Sequence, residues 1–208
     1  MSGDPVKEHY RKGRYWSHLR VHGYANQLLE LHTLAPARVL EIGRADGFMS
    51  AVVNTFTTQR LVSLDLDPAL DPDVAGSVLD LPFRRHAFDA VLCCQVLEHL
   101  PFDRFDGALA ELARVSSSHV IVSVPDVRMY VGARLRLPKI GSKTLALSLE
   151  RPRMPAYEFD GEHHWEIGYA GTRFNDVKRK LTASGLRLRR TYRLHELPYH
   201  SVFVLTTT

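Results

Sequence analysis

A parallel α/β sheet is the fold class this sequence predicts, and three observations carry it. Short apolar runs alternate with helical patterns between residues 37 and 125. The longest run, "AFDAVLCCQVL" at 87–97, is apolar at nearly every position, as a strand covered on both faces must be. The stretch "EIGRADGFMS" at 41–50 reads as a glycine-containing turn from a strand into a helix.

The elements follow in order. Residues 1–35 mix aromatic and basic residues and then become helical, with Ala25, Leu28, Leu29 and Leu31 as a modest apolar face closed by Pro36. "ARVLEI" (37–42) is a first strand. Residues 46–57 fit a helix, with Asp46 near the end where a carboxylate is favoured. "RLVSLD" (60–65) is a second strand ending in acid, "VAGSVLD" (74–80) a weaker third and 87–97 the fourth. Residues 103–115 read as a helix, and "HVIVSVP" (119–125) as a fifth strand stopped by proline. Residues 126–170 carry Pro, Gly and charge without clean periodicity, and that length marks a functional elaboration rather than a passive loop. "TRFNDVKRKLTASG" (172–185) is a helix with a glycine stop; "LRLRRTYRL" (186–194) and "HSVFVLTT" (200–207) are strands. The expected organisation is an N-terminal helical or lid segment, 1–35, and one domain, 36–208, with a substrate-side insertion at about 126–170.

The chain of 208 residues is 45% hydrophobic and 24% charged, enough apolar material for a packed core. No apolar run reaches the roughly 18 residues of a membrane span, and "MSGDPVKEHYRKGRYW" lacks a signal-peptide apolar region, so a cytoplasmic protein is expected. Cys93 and Cys94 are adjacent and have no second pair to complete a zinc site; buried free thiols are expected. The net charge is +4, and its excess is uneven. Positions 128–153 hold seven Lys/Arg against Glu150, and positions 173–193 hold eight against Asp176. Such patches attract phosphates, nucleic acid or membrane surface, but they also describe a solvated helix face beside a loop. No RNA-recognition or zinc-finger pattern accompanies them, so nucleic acid is not the expected partner.

Several residues carry chemistry. Gly43 permits a sharp turn, and Gly47 lets a helix start close to whatever lies across the loop. Asp65 stands 24 residues after Glu41 at the end of the second strand, where a carboxylate can accept both ribose hydroxyl hydrogens of a nucleoside. Asp67, followed by Pro68, suits a turn. In "DLPF" (80–83), Asp80 can accept from the exocyclic amine of a base and the Leu81 N–H can serve a ring nitrogen; a cap ahead of a short turn fits equally.

"FDAVLCCQVLEHLP" (88–101) then makes the pattern specific. It resembles the segment after strand four in class I S-adenosylmethionine-dependent methyltransferases. "VLEIGRADG", "LVSLDLDP" and "SVLDLPF" resemble that family's earlier motifs in the same order. The resemblance covers about residues 36–125 and resumes at the last helix and strands. It implies a Rossmann-like, seven-stranded, mostly parallel sheet with an antiparallel last strand and helices on both faces. It also implies S-adenosyl-L-methionine as cofactor, with S-adenosyl-L-homocysteine as product. By the same resemblance Gly43, Ala45 and Gly47 approach the methionine moiety, Asp65 the ribose, Asp80 and Leu81 the adenine, and Gln95 the sulfonium end, while Glu41 orients the loop. Two positions depart from the pattern. Ala45 stands where the family has glycine, which is harmless at negative φ and strained at positive φ. Arg44 stands where a small residue is usual, so its charge must turn away from the sulfonium.

A hydroxyl acceptor would need a base, and histidine suits that role near neutrality. The candidates are His99 in "LEHLP" and His163 and His164 in "DGEHHWEIGY". A structural hydrogen bond is the competing role for His99. Glu162, His163, His164 and Glu166 suggest a metal site, but adjacent residues point different ways, so none is expected there. Tyr10, Tyr15 and Trp16 are candidates for an aromatic lid or for plain packing. "GEHHWEIGY" and "TYRLHELPYHSVFVL" loosely resemble bacterial small-molecule methyltransferases, some encoded with sugar or surface-polysaccharide genes. The expected function is methyl transfer to O or N of a small molecule, with anionic and sugar-linked acceptors in view. The alternatives are a cofactor-fold binding or scaffold protein without catalysis, favoured by Ala45 and Arg44, and a nucleic-acid or protein methyltransferase, favoured by the basic stretches. "CQVL" stands where an Asn-Pro-Pro-Tyr-type motif for planar amines would be.

Overall fold

A computed structural model of the chain describes residues 15–138 and 141–207. Nine strands and four helices are ordered along these residues as α1 (His18–Leu34), β1 (Arg38–Ile42), α2 (Phe48–Phe56), β2 (Arg60–Asp65), β3 (Val74–Ala75), β4 (Phe88–Cys94), α3 (Phe105–Val115), β5 (Ser116–Pro125), β6 (Met129–Leu137), β7 (Gly141–Leu149), α4 (Phe174–Ala183), β8 (Leu186–Arg193) and β9 (His200–Thr207). Seven of the strands form one sheet in the order β3-β2-β1-β4-β5-β9-β8. The pairings from β3 to β5 are parallel, and β9 runs antiparallel to both β5 and β8. This is the Rossmann-like arrangement with an antiparallel last strand.

Alternation along the central strands splits the core in two. Leu40, Ile42, Val91, Cys93, Val120, Val122 and Phe203 face one way and pack with Phe105, Leu109 and Leu112 of α3, Val177 and Leu181 of α4, and Trp165. Val39, Leu61, Ala90, Leu92, Ile121, Val202 and Val204 face the other way and pack with Tyr24 and Leu31 of α1 and Met49 and Val53 of α2. Because both faces are covered, β4 carries hardly a polar side chain. Helix α1 starts where the Ser17 side chain accepts from the Arg20 N–H at 3.2 Å. Its Tyr24 stacks on Phe48 at the head of α2, with ring centroids 4.7 Å apart. No helix among the described residues is long and apolar enough to cross a membrane.

The structure corrects two readings of the sequence. The third strand is only Val74–Ala75; the chain leaves the sheet at Gly76, and Ser77 and Asp80 then form an isolated bridge. Within 126–170 lies an antiparallel hairpin, β6–β7, with Met129 opposite Leu149 and Leu137 opposite Gly141. Its period-two pattern (Met129, Val131, Ala133, Leu135) alternates with Tyr130, Gly132 and Arg134, but its apolar face is exposed, so it contributes nothing to the core. The opposite face rests on the β8–β9 connection: Tyr130 lies 3.4 Å from His195 Nδ1, and Arg134 pairs with Glu196. At the hairpin's base the buried Asp126 carboxylate accepts from Arg128 at 2.7 Å and from Ser201 at 2.5 Å. Burial without partners would make that carboxylate costly, so these bonds fix how the insertion leaves the sheet.

Candidate active site

The strand order reverses between β1 and β4, and an open α/β sheet forms its crevice beyond the carboxyl ends at such a point. A cleft of about 610 Å³ lies there. Glu41, Gly43, Ala45, Asp65 and Gln95 line it from the strand ends, and His99 and His163 line it from two later turns.

The turn after β1 has the conformation that its glycines allow. Gly43 has φ +82°, and a Cβ there would lie 2.6 Å from Val96 Cγ2. Gly47, with φ +76°, caps α2, while the Asp46 carboxylate accepts from the Phe48 N–H at 3.1 Å and the Tyr24 hydroxyl at 2.8 Å. Ala45 has φ +51°, so the residue in glycine's usual place holds a left-handed backbone. The Arg44 guanidinium folds back over Gly47 and donates to the Leu70 carbonyl.

Asp65 ends β2 with its carboxylate pointing across to that turn. One oxygen accepts from the Arg44 N–H at 2.8 Å, the other from the Asp67 N–H at 3.0 Å. Asp67 caps the short turn Pro68–Leu70, the role its proline suggested. Glu41 is buried, and its Oε2 has no hydrogen-bond partner. Burial pushes its carboxyl up to about 8, partly opposed by Arg44. Glu41 thus lines the cleft with one carboxylate oxygen unsatisfied.

Four predicted residues fall elsewhere. Asp80 is exposed, and Leu81 is buried with its N–H donated to Glu111 at 2.8 Å, so neither lines the cleft. The chain turns at Gly76, five residues after Asp71, so the positions just past β3 are Gly76, Ser77 and Val78, and these line the cleft instead. Their only signal in the sequence is that position. Gly47 and His164 are also absent from the lining; the His164 ring stacks on Phe159, with centroids 4.5 Å apart. Of the lid candidates, Tyr15 lines the cleft, Trp16 packs edge-on against Phe48, and Tyr10 lies outside the described residues.

Gln95 follows β4 with φ +60°, a costly conformation for a non-glycine residue. Its N–H donates to the Ser123 carbonyl at 2.9 Å and its Nε2 to the Ser123 hydroxyl at 3.1 Å. The chain then makes a tight turn, Leu97–His99. This turn is pinned to the loop 162–166. Trp165 Nε1 donates to the carbonyls of Leu97 (3.2 Å) and Leu100 (3.1 Å), His164 N–H donates to the Glu98 carbonyl (2.8 Å), and His99 Nδ1 lies 3.0 Å from the Glu162 carbonyl. His163 Nδ1 lies 3.0 Å from Glu166 Oε1, and Glu166 also accepts from the Tyr199 hydroxyl. Glu98 is fully buried with both carboxylate oxygens unpartnered, and burial pushes its carboxyl up to about 8.

Other groups at the cleft are held neutral. His200 is pushed down to about 4, chiefly by burial and then by Arg20. The Cys94 thiol is pushed up to about 12 by burial, so it is no thiolate nucleophile near neutrality.

Residues 40–124 match a family model described as a methyltransferase domain. No curated protein shows significant similarity to the chain. Among solved structures, it is similar to the 1,6-didemethyltoxoflavin-N1-methyltransferase of Burkholderia thailandensis, bound to 1,6-didemethyltoxoflavin and S-adenosylhomocysteine (TM-score 0.64, 16% identity, 98% of this chain and 84% of that one). It is also similar to the magnesium protoporphyrin IX methyltransferase of Synechocystis with bound S-adenosylhomocysteine (TM-score 0.61, 13% identity, 91% and 84%). A glycopeptide N-methyltransferase complexed with S-adenosyl-L-homocysteine is a third (TM-score 0.59, 12% identity, 89% and 90%). Residues 40–124 thus carry a methyltransferase domain, and the chain shares with these structures its fold, a mostly parallel seven-stranded sheet with an antiparallel last strand.

Proposed function

We propose that the chain transfers a methyl group from S-adenosylmethionine to an oxygen or nitrogen of a small molecule. One observation carries this reading: a single cleft of about 610 Å³ is lined at one end by the β1 turn and Asp65 and at another by Glu98, His99 and His163. The donor end suits a cationic nucleoside. Asp65 supplies carboxylate lone pairs for ribose hydroxyls, Gly76–Val78 supply backbone for a base edge, and the unpaired Glu41 oxygen suits an ammonium group. When bound, S-adenosylmethionine supplies an electrophilic methyl carbon on sulfur. The chain's own contribution is to hold an acceptor in line and exclude competing water.

For a hydroxyl acceptor, the histidines at the cleft take up the proton question. Glu166 orients His163, and the Glu162 carbonyl orients His99. His164 is dropped from that role because its ring stacks on Phe159, away from the cleft. Arg20, over the Tyr15 ring at 4.2 Å, offers a cation at the cleft for an anionic or sugar-phosphate-like acceptor.

Calorimetric titration with S-adenosylhomocysteine, then a screen of metabolite pools with labelled methyl donor, tests the reading. Binding plus a labelled product is expected; no binding at high micromolar concentration overturns it. The strained Ala45 backbone favours a second reading, donor binding without transfer, and binding with no labelled product in any pool would select it.

A further inference from the structure

We propose that Glu98, His99 and His163 form a binding site for a divalent first-row metal ion at the cleft. Its placement at the acceptor end rests on the reading above; the ion site itself does not. One donor atom from each of the three residues lies within 4.8 Å of one from the others. A tetrahedral ion holding nitrogen and oxygen ligands at roughly 2.0–2.2 Å needs those atoms about 3.4 Å apart, so side-chain rotation must draw them together by up to about 1.4 Å. Glu98 and His99 are adjacent, but the tight turn Leu97–His99 lets their donor atoms converge with that of His163.

Two further observations point to a ligand. The Glu98 carboxylate is fully buried and neither oxygen has a partner in another residue, although two imidazoles stand beside it. A buried carboxylate left that way is costly, and Glu162 and Glu166 add like charge rather than relief. A cation at this point would satisfy it. Each imidazole, moreover, has its Nδ1 against a protein acceptor: the Glu162 carbonyl for His99 and the Glu166 carboxylate for His163. Donation of Nδ1–H to these acceptors leaves a lone pair on each Nε2, the arrangement that orients metal-ligating histidines.

The donor set decides the class of ion. Two imidazoles and one carboxylate suit zinc and its first-row neighbours; magnesium and calcium prefer oxygen alone. Three protein ligands leave a coordination position open to the cleft. An acceptor hydroxyl bound there would have a lowered pKa and would lose its proton to water at the cleft mouth, the O–H electron pair staying on the oxygen.

The test uses the full chain after chelator treatment. Zn2+ is titrated calorimetrically, and Co2+ is followed by its visible absorption. One equivalent of either ion is expected to bind, with affinity at least about tenfold weaker in His99→Ala and in Glu98→Gln and unchanged in His164→Ala. Circular dichroism and thermal unfolding of each variant report whether it is folded; His99 is exposed, so His99→Ala decides the matter if Glu98→Gln does not fold. No saturable binding, or equal affinity in His99→Ala, overturns the proposal. Ion binding that is intact and lost in His99→Ala supports the site even if S-adenosylhomocysteine fails to bind, an outcome that sinks the donor reading alone.

Discussion

The two ends of the cleft are built differently. The proposed donor end comes from turns that each follow a strand directly: Gly43–Ala45 after β1, Asp65 at the end of β2, Gly76–Val78 after β3 and Gln95 after β4. The acceptor end is assembled from distant segments, with His99 held to the loop 162–166 and Tyr199 reaching Glu166. The donor end is therefore a consequence of the fold, while the acceptor end depends on a few long-range bonds. Substitutions should separate them.

The largest effect is expected at Trp165, buried among Phe102 and Phe105 and bonded to the Leu97 and Leu100 carbonyls. Trp165→Ala should cost about 3–5 kcal/mol of stability, read from denaturant midpoints. Wild-type stability in that variant would mean the pin is unimportant. Next, His163→Ala should lower turnover roughly 100-fold while S-adenosylhomocysteine affinity stays the same. Equal loss of both would erase the division between the ends. Asp65→Ala should do the reverse and weaken donor binding by about 1–3 kcal/mol, the size of lost hydrogen bonds to a charged group. Unchanged affinity would remove Asp65 from the site.

Two smaller effects probe the donor turn. Ala45→Gly relieves a left-handed alanine, worth up to about 1 kcal/mol once glycine's extra freedom in the unfolded chain is subtracted. Thermal unfolding measures it, and a loss of stability would argue against strain at Ala45. Glu41 makes stability pH-dependent. Its carboxyl is neutral in the folded protein up to about pH 8 but ionises near 4.5 in the unfolded chain. The folded state thus holds the extra proton across that window, so this contribution is full below about pH 4.5 and is lost as pH rises toward 8. Glu41→Gln should flatten the decline between pH 5 and 8; an unchanged slope would contradict the burial effect. Glu98 acts in the same direction, so the decline flattens without vanishing.

The same contrast explains what the sequence revealed. Buried strands announce themselves through continuous apolar runs, and Gly43 and Asp65 lie at fixed offsets from them. Asp80 and Leu81 misled because "VAGSVLD" continues an apolar pattern past Gly76, where the chain has already left the sheet. Ser77 and Val78 carry no chemical signature, only a position. Glu98, Glu166 and Tyr199 stayed hidden as a group because their meaning comes from contacts across 33 to 68 residues, as in the Tyr199–Glu166 and Trp165–Leu97 bonds. The hairpin's alternation was present but led to no core, since its apolar face is exposed.

The claim that this cleft is a methyl-donor site is tested most directly by calorimetric titration of the wild-type chain with S-adenosylhomocysteine. Saturable binding at one site, weakened by Asp65→Ala and not by His163→Ala, is the predicted result. No heat of binding up to high micromolar ligand would contradict it.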